Sequence, residues 1–150
     1  MVRKALFNSS KTKRFLLYRS WGNNSKCAFI MLNPSIADEK IDDPTIKKCI
    51  TYSKKFNHNE LYVVNLFPQI QKKPNFKKLK NCQTNRLVIE KTLKKIDTIY
   101  LAWGFNYKIS SEIAKIIKNK KVFVLELSKN NTPKHPLYLK NNIKPVQLFL

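Results

Sequence analysis

Apolar residues along this chain fall into short solid runs, separated by stretches in which they recur every three or four positions. Residues 26–32 (KCAFIML), 61–67 (LYVVNLF), 99–103 (IYLAW) and 122–127 (VFVLEL) are of strand length and largely unbroken by polar positions. Such runs predict strands covered on both faces. Residues 13–21 (KRFLLYRSW) predict an additional N-terminal strand, closed by the turn Gly22-Asn23-Asn24. Between the runs lie helical spacings. Asp43 is placed to cap a helix with Pro44 at its first position, and Ile46, Cys49, Ile50 and Phe56 then mark one face, with Lys47, Lys48, Lys54 and Lys55 on the other. A second helix is predicted over 83–96, with Leu87, Val88, Leu93 and Ile96 inward, and a third is marked by Ile109, Ile113, Ile116 and Ile117. Residues 69–80 read as a Lys- and Pro-containing loop, and 145–150 as a final edge strand. Strands alternating with helices predict one α/β domain over residues 1–150, three layers deep, built on a parallel sheet. The order of the strands does not follow from this pattern.

Composition adds one strong feature. Thirty Lys and Arg against nine Asp and Glu give a net charge of +21, which points to partners carrying phosphates or other anions. Twenty-six of the thirty are Lys, and with 16 Asn and 14 Ile the chain has the composition an AT-rich coding sequence produces, so mutational bias is an alternative source for part of the excess. The acidic residues are less dispersed: Asp38, Glu39, Asp42 and Asp43 fall within six positions. No apolar run is long enough to cross a membrane, no apolar segment follows the basic N-terminus as in a secretory signal, and the three cysteines show no CxxC spacing. The expected setting is a reducing cytoplasm, without disulfides, structural zinc or another cofactor.

In open α/β sheets ligands sit beyond the carboxyl ends of the strands. Each solid run delivers polar or special residues to that end: Asn33-Pro34-Ser35 and the acidic loop after the first, Asn65 and Pro68 in the second, Trp103 and Gly104 in the third. The fourth leads to Pro133, His135 and Pro136. Asn33 either ties neighbouring loops or holds a water or substrate edge in a site. Asn65, an amide in an apolar strand, needs a partner that is either structural or a ligand. Trp103 is either core or a stacking surface. His135 sits in a loop stiffened by prolines, which suits a site. His58, just after a helix, is expected in solvent. Asp38 and Asp42 either bind a cation with Asp43, orient a water, or pair with lysines. No P-loop, GxGxxG, HExxH or GxSxG occurs, and Ser35 lacks the glycines of a nucleophile elbow.

The strings Met31-Leu32-Asn33-Pro34-Ser35-Ile36-Ala37-Asp38, Asp42-Asp43-Pro44-Thr45, Val64-Asn65-Leu66-Phe67, Ala102-Trp103-Gly104 and Pro133 to Tyr138 closely resemble the DUF1643 family of uncharacterised bacterial and viral proteins. More distantly, the layout resembles the uracil-DNA glycosylase superfamily. That second resemblance implies a central four-stranded parallel sheet of order 2-1-3-4 and a crevice that receives a flipped base. It implies Asn33, Asp38 and His135 as catalytic residues, and Pro34, Ser35, Asn65, Phe67, Trp103 and Gly104 as substrate contacts. The chain departs from the pattern at Leu32 and Ser35, where glycines flank the first motif, and at Leu137, where a serine follows His-Pro. Three functions stay open: a glycosylase-type enzyme in which water attacks C1′ of a flipped nucleotide, a non-catalytic nucleotide- or nucleic-acid-binding module, and a metal-assisted nucleotide or phosphoester hydrolase with Asp38, Asp42 and Asp43 as ligands.

Overall fold

A computed structural model describes residues 1–105 and 107–150. In chain order the elements are β1 (Val2–Phe7), β2 (Arg14–Ser20), β3 (Lys26–Met31), α1 (Pro44–Lys55), β4 (Glu60–Asn65), α2 (Gln83–Lys94), β5 (Thr98–Leu101), α3 (Ser111–Ile117), β6 (Lys121–Val124) and β7 (Val146–Leu148), with a short 3-10 turn at Pro136–Tyr138. The strands form one seven-stranded sheet of order β1-β2-β4-β3-β5-β6-β7.

This corrects the expected four-stranded parallel architecture. The sheet is mixed: β4, β3, β5 and β6 run parallel, but β2 lies antiparallel on β4, β1 antiparallel on β2, and β7 antiparallel on β6. The physical reason lies in the outer strands. β1 is largely solvent-exposed, so its side chains carry no core signal, and it is held by main-chain pairing from Val2↔Ser20 to Leu6↔Leu16. The register shifts between Leu6 and Phe7, a bulge at the end where β2 begins with Arg14.

Two apolar clusters cover the sheet. On one face Ile30, Val64, Ile99 and Val122 pack under α2 and α3; on the other Phe29, Leu61, Val63 and Tyr100 pack under α1. The cap of α1 follows the local sequence: Asp43 Oδ1 accepts from the Ile46 amide at 2.9 Å, with Pro44 in the first turn. The inward face of α2 is rotated from the expected one. Asn85, Ile89, Thr92 and Leu93 are buried, while Leu87 is exposed. His58, expected in solvent, is buried, with Ser25 Oγ at 2.9 Å from Nδ1 and Tyr100 Oη at 2.8 Å from Nε2. The chain after the 3-10 turn is strapped to α1: Lys48 donates to the Leu139 carbonyl, and Tyr52 Oη donates to the Lys140 carbonyl at 2.6 Å. No helix among the described residues is long and apolar enough to cross a membrane.

Candidate functional site

Beyond the carboxyl ends of β3, β4 and β5 lies a crevice of about 740 Å³. Its floor and walls gather segments far apart in sequence: Asn33, Pro34 and Ser35 after β3, Asn65 ending β4, Trp103 and Gly104 after β5, and His135 before the 3-10 turn. Arg14 from β2 and Asp43 from the cap of α1 also line it, and Lys72, Lys73 and Lys134 contribute basic side chains. Asp38 and Phe67 are outside this lining.

Asn65 is 1% exposed, and neither Nδ2 nor Oδ1 has a partner among the described residues. Its backbone carbonyl is engaged by contrast, accepting from Asn85 Nδ2 at 3.0 Å. A buried amide left unpaired costs on the order of 1–3 kcal/mol. Asn33 is different. Its Nδ2 donates to the carbonyls of Gln71 at 3.0 Å and Pro34 at 3.1 Å, with Gln69 at 3.5 Å, so its amide ties the loop after β3 to the loop after β4. Asn33 Oδ1 makes no hydrogen bond among the described residues.

His135 is locked from both sides. Its Nδ1 accepts from the Leu137 amide at 3.2 Å, which makes Nδ1 the bare nitrogen of a neutral ring and leaves the proton on Nε2. Burial lowers its pKa from the ordinary histidine value, opposed by the Asp43 carboxylate. Gly104 packs directly against it. A Cβ at Gly104 lands 2.6 Å from the His135 Cβ, and its φ of +82° is one that L side chains rarely adopt. The Gly104 amide also donates to the Pro133 carbonyl at 3.0 Å, joining the end of β5 to the histidine loop. Trp103 is buried, its Nε1 donating to the Tyr107 carbonyl at 3.0 Å, so it walls the crevice with its ring.

The acidic loop disperses. Asp38 Oδ1 accepts from the Lys40 and Ile41 amides, both at 2.7 Å, which hold its pKa below the usual value in a turn. Asp42 binds Arg19 Nε at 2.7 Å and Arg3 at 3.2 Å. Asp43 alone reaches the crevice, with Oδ1 on the Ile46 amide and Oδ2 on the Ala37 amide at 3.3 Å. Among the described residues no three His, Cys, Asp or Glu side chains converge to hold a metal ion. Phe67 packs edge-on against Tyr107, with ring centroids 5.5 Å apart.

Comparison with known proteins gives a family. The model for "Protein of unknown function (DUF1643)" matches residues 14–137, from the crevice arginine to the residue whose amide holds His135. The chain belongs to the DUF1643 family. No curated protein and no solved structure matches. The more distant likeness to uracil-DNA glycosylases therefore gains no support from either comparison, and the seven-stranded mixed sheet departs from the architecture it implied.

Arg14 and the crevice position of Asp43 escaped the sequence reading. A signal existed for the first. In a chain with four arginines, two of them, Arg14 and Arg19, stand inside one apolar strand, where a charge is costly unless it is paired.

Proposed function

We propose that this DUF1643 chain takes a nucleobase, carried on a nucleotide or a nucleic-acid strand, into the crevice and recognises its edge with Asn65. The observation that carries this reading is the Asn65 side chain, a buried donor and acceptor pair without a partner among the described residues, in a crevice within the family-matched segment. A primary amide presents one N–H and one C=O side by side, the complement of the donor–acceptor edge of a base. Apolar walls from Met31, Leu32, Trp103 and Leu139 suit the faces of a planar ring, and Lys72, Lys73 and Lys134 suit phosphates. The test is calorimetric titration with nucleosides and nucleotides of each base. Preference for one base, abolished in Asn65→Ala, supports the reading. Equal weak affinity for all, unchanged in Asn65→Ala, overturns it.

A second reading, cleavage of the N-glycosidic bond, is favoured by the tautomer of His135. A neutral ring with its proton on Nε2 is a hydrogen-bond donor that stabilises negative charge developing on a departing base. In this reaction the oxygen of water bonds to C1′ as the C1′–N bond breaks, the base leaves with the bonding pair as an anion, and the proton the water loses passes to the Asp43 carboxylate and on to the departing base. Asn33 Oδ1 and the Asp43 carboxylate are the crevice acceptors for that water. Oligonucleotides bearing uracil, hypoxanthine or alkylated bases, treated with alkali after incubation, reveal any base release as strand breaks. Breaks that fall about 10²-fold in His135→Ala support the enzyme reading. Base-selective binding without breaks makes the protein a binding module.

A further inference from the structure

Resting on that nucleobase reading, we propose that Arg14 is an anion-binding residue on the crevice floor and takes a phosphate oxyanion of the bound nucleotide. Arg14 is 2% exposed, and its Nε–H is buried without a partner. Its one side-chain hydrogen bond among the described residues runs from Nη1 to the Ala37 carbonyl at 2.9 Å. Among the described residues its guanidinium forms no ion pair, with no carboxylate oxygen within 4.0 Å. The crevice carboxylate, Asp43, spends its two oxygens on the Ile46 and Ala37 amides.

Arg19, five residues along the same strand, shows what a structural buried arginine needs here. It is 0% exposed, binds Asp42 through Nε at 2.7 Å, and donates to the carbonyls of Tyr18, Asp38 and Ile41. Arg14 has no equivalent set. Burial pushes its pKa down to about 10, opposed by the nearby Asp43 carboxylate, so it is still charged at neutral pH. A buried cation with a carboxylate nearby but none hydrogen-bonded to it is left under-satisfied, and charge-assisted bonds from a guanidinium to an oxyanion are among the strongest in proteins.

The charge around it has the matching sign. Arg14, Lys72, Lys73 and Lys134 line the crevice against the single carboxylate of Asp43. The first turn of α1 also borders the crevice, but Asp43 already answers its dipole, so Arg14 and not the helix supplies the attraction. Two sources share the phosphate chemistry: the terminal phosphate of a mononucleotide and the internal phosphodiester of a strand.

The experiment titrates the wild-type protein with a nucleoside, its 5′-mononucleotide, the corresponding dinucleoside monophosphate and inorganic phosphate, across all four bases. A phosphate-bearing ligand binding at least about tenfold tighter than its nucleoside is the expected result. That preference should shrink to within about twofold in Arg14→Met and in Arg14→Lys, which keeps the charge but loses the Nε–H. It should persist in Lys91→Ala and Lys118→Ala, exposed lysines outside the crevice lining, and in about 0.5 M salt, which screens exposed charges far more than a buried one. Tighter binding of the mononucleotide assigns the terminal phosphate; tighter binding of the dinucleoside monophosphate assigns a strand. Equal wild-type affinity for nucleoside and phosphate ester overturns the inference even if neither Arg14 variant folds, and leaves the nucleobase reading standing. Phosphate gain through Arg14 with no base preference and no effect of Asn65→Ala does the reverse. No binding of any ligand overturns both.

Discussion

Two regions of this protein bury arginine beside a carboxylate on the same face of the sheet, with opposite outcomes. Around Arg19 every donor finds an acceptor: Asp42, the Tyr18 carbonyl, and the carbonyls of the acidic loop at Asp38 and Ile41. Around Arg14 the Nε–H and both amide atoms of Asn65 are buried with no partner among the described residues. The first region is a clasp that holds the loop 38–42 onto β2. The second is a set of polar groups without partners among the described residues. Since buried polar groups in proteins are nearly always paired, the difference makes the second region the candidate ligand-facing surface.

The comparison breaks most directly at the arginines. Arg19→Met removes the Nε donor from Asp42, which keeps only Arg3, and strips the Arg19 donor from three carbonyls, at an expected cost of about 3–5 kcal/mol, as removing one partner of a buried pair does. Arg14→Met removes a desolvated charge with one hydrogen bond and is expected to change stability by less than about 1 kcal/mol. Urea unfolding of the two variants side by side checks this. Equal losses would make Arg14 a scaffold residue like Arg19.

Gly104→Ala tests whether the ligand-facing region depends on close packing behind it. The substitution forces an L side chain into φ of +82° and against the His135 Cβ, at an expected cost of about 2 kcal/mol. Thermal unfolding measures the loss, and the histidine loop is the part that must move.

Asn65→Leu sharpens the comparison in the opposite direction. Replacing an unpaired buried amide by an apolar side chain of similar size is expected to raise stability by about 1 kcal/mol while removing base selectivity. A destabilised variant would mean that Asn65 has a structural partner.

The smallest effect is on pH dependence. Burial lowers the pKa of His58 below its ordinary value of 6.5, so its contribution to stability is fully present above that value. It is lost as the pH falls through the lower folded-state pKa, because the unfolded chain binds the proton more readily. His58→Gln should therefore flatten the decline in stability between pH 7 and pH 5. An unchanged slope assigns the decline to other groups, His135 among them, whose pKa is shifted the same way.

Much of the scaffold was legible in the chain because its causes are local. Solid apolar runs became β3 and β4, Asp43-Pro44 became a helix cap, and the polar residues that follow the runs line one crevice because parallel strands end on one side. His58 was misplaced because position after a helix says nothing about what packs over it. The loop dispersal of Asp38 and Asp42 was equally invisible, since four clustered carboxylates look alike until their partners are known.

What the sequence determined by itself was the set of strands and helices of the core and the bunching of Asn33, Asn65, Trp103, Gly104 and His135 at one end of it, because periodicity, capping and strand direction act over a few residues. The strand β1, the antiparallel pairing of β2 and β7 at the flanks, and which arginine is paired and which is left facing the crevice were decided only by tertiary structure. Arg19 meets Asp42 across 23 positions, and Arg14 meets the Ala37 carbonyl across the same separation. Over such distances a side chain's partners depend on where the whole chain has folded, and local pattern carries no record of them.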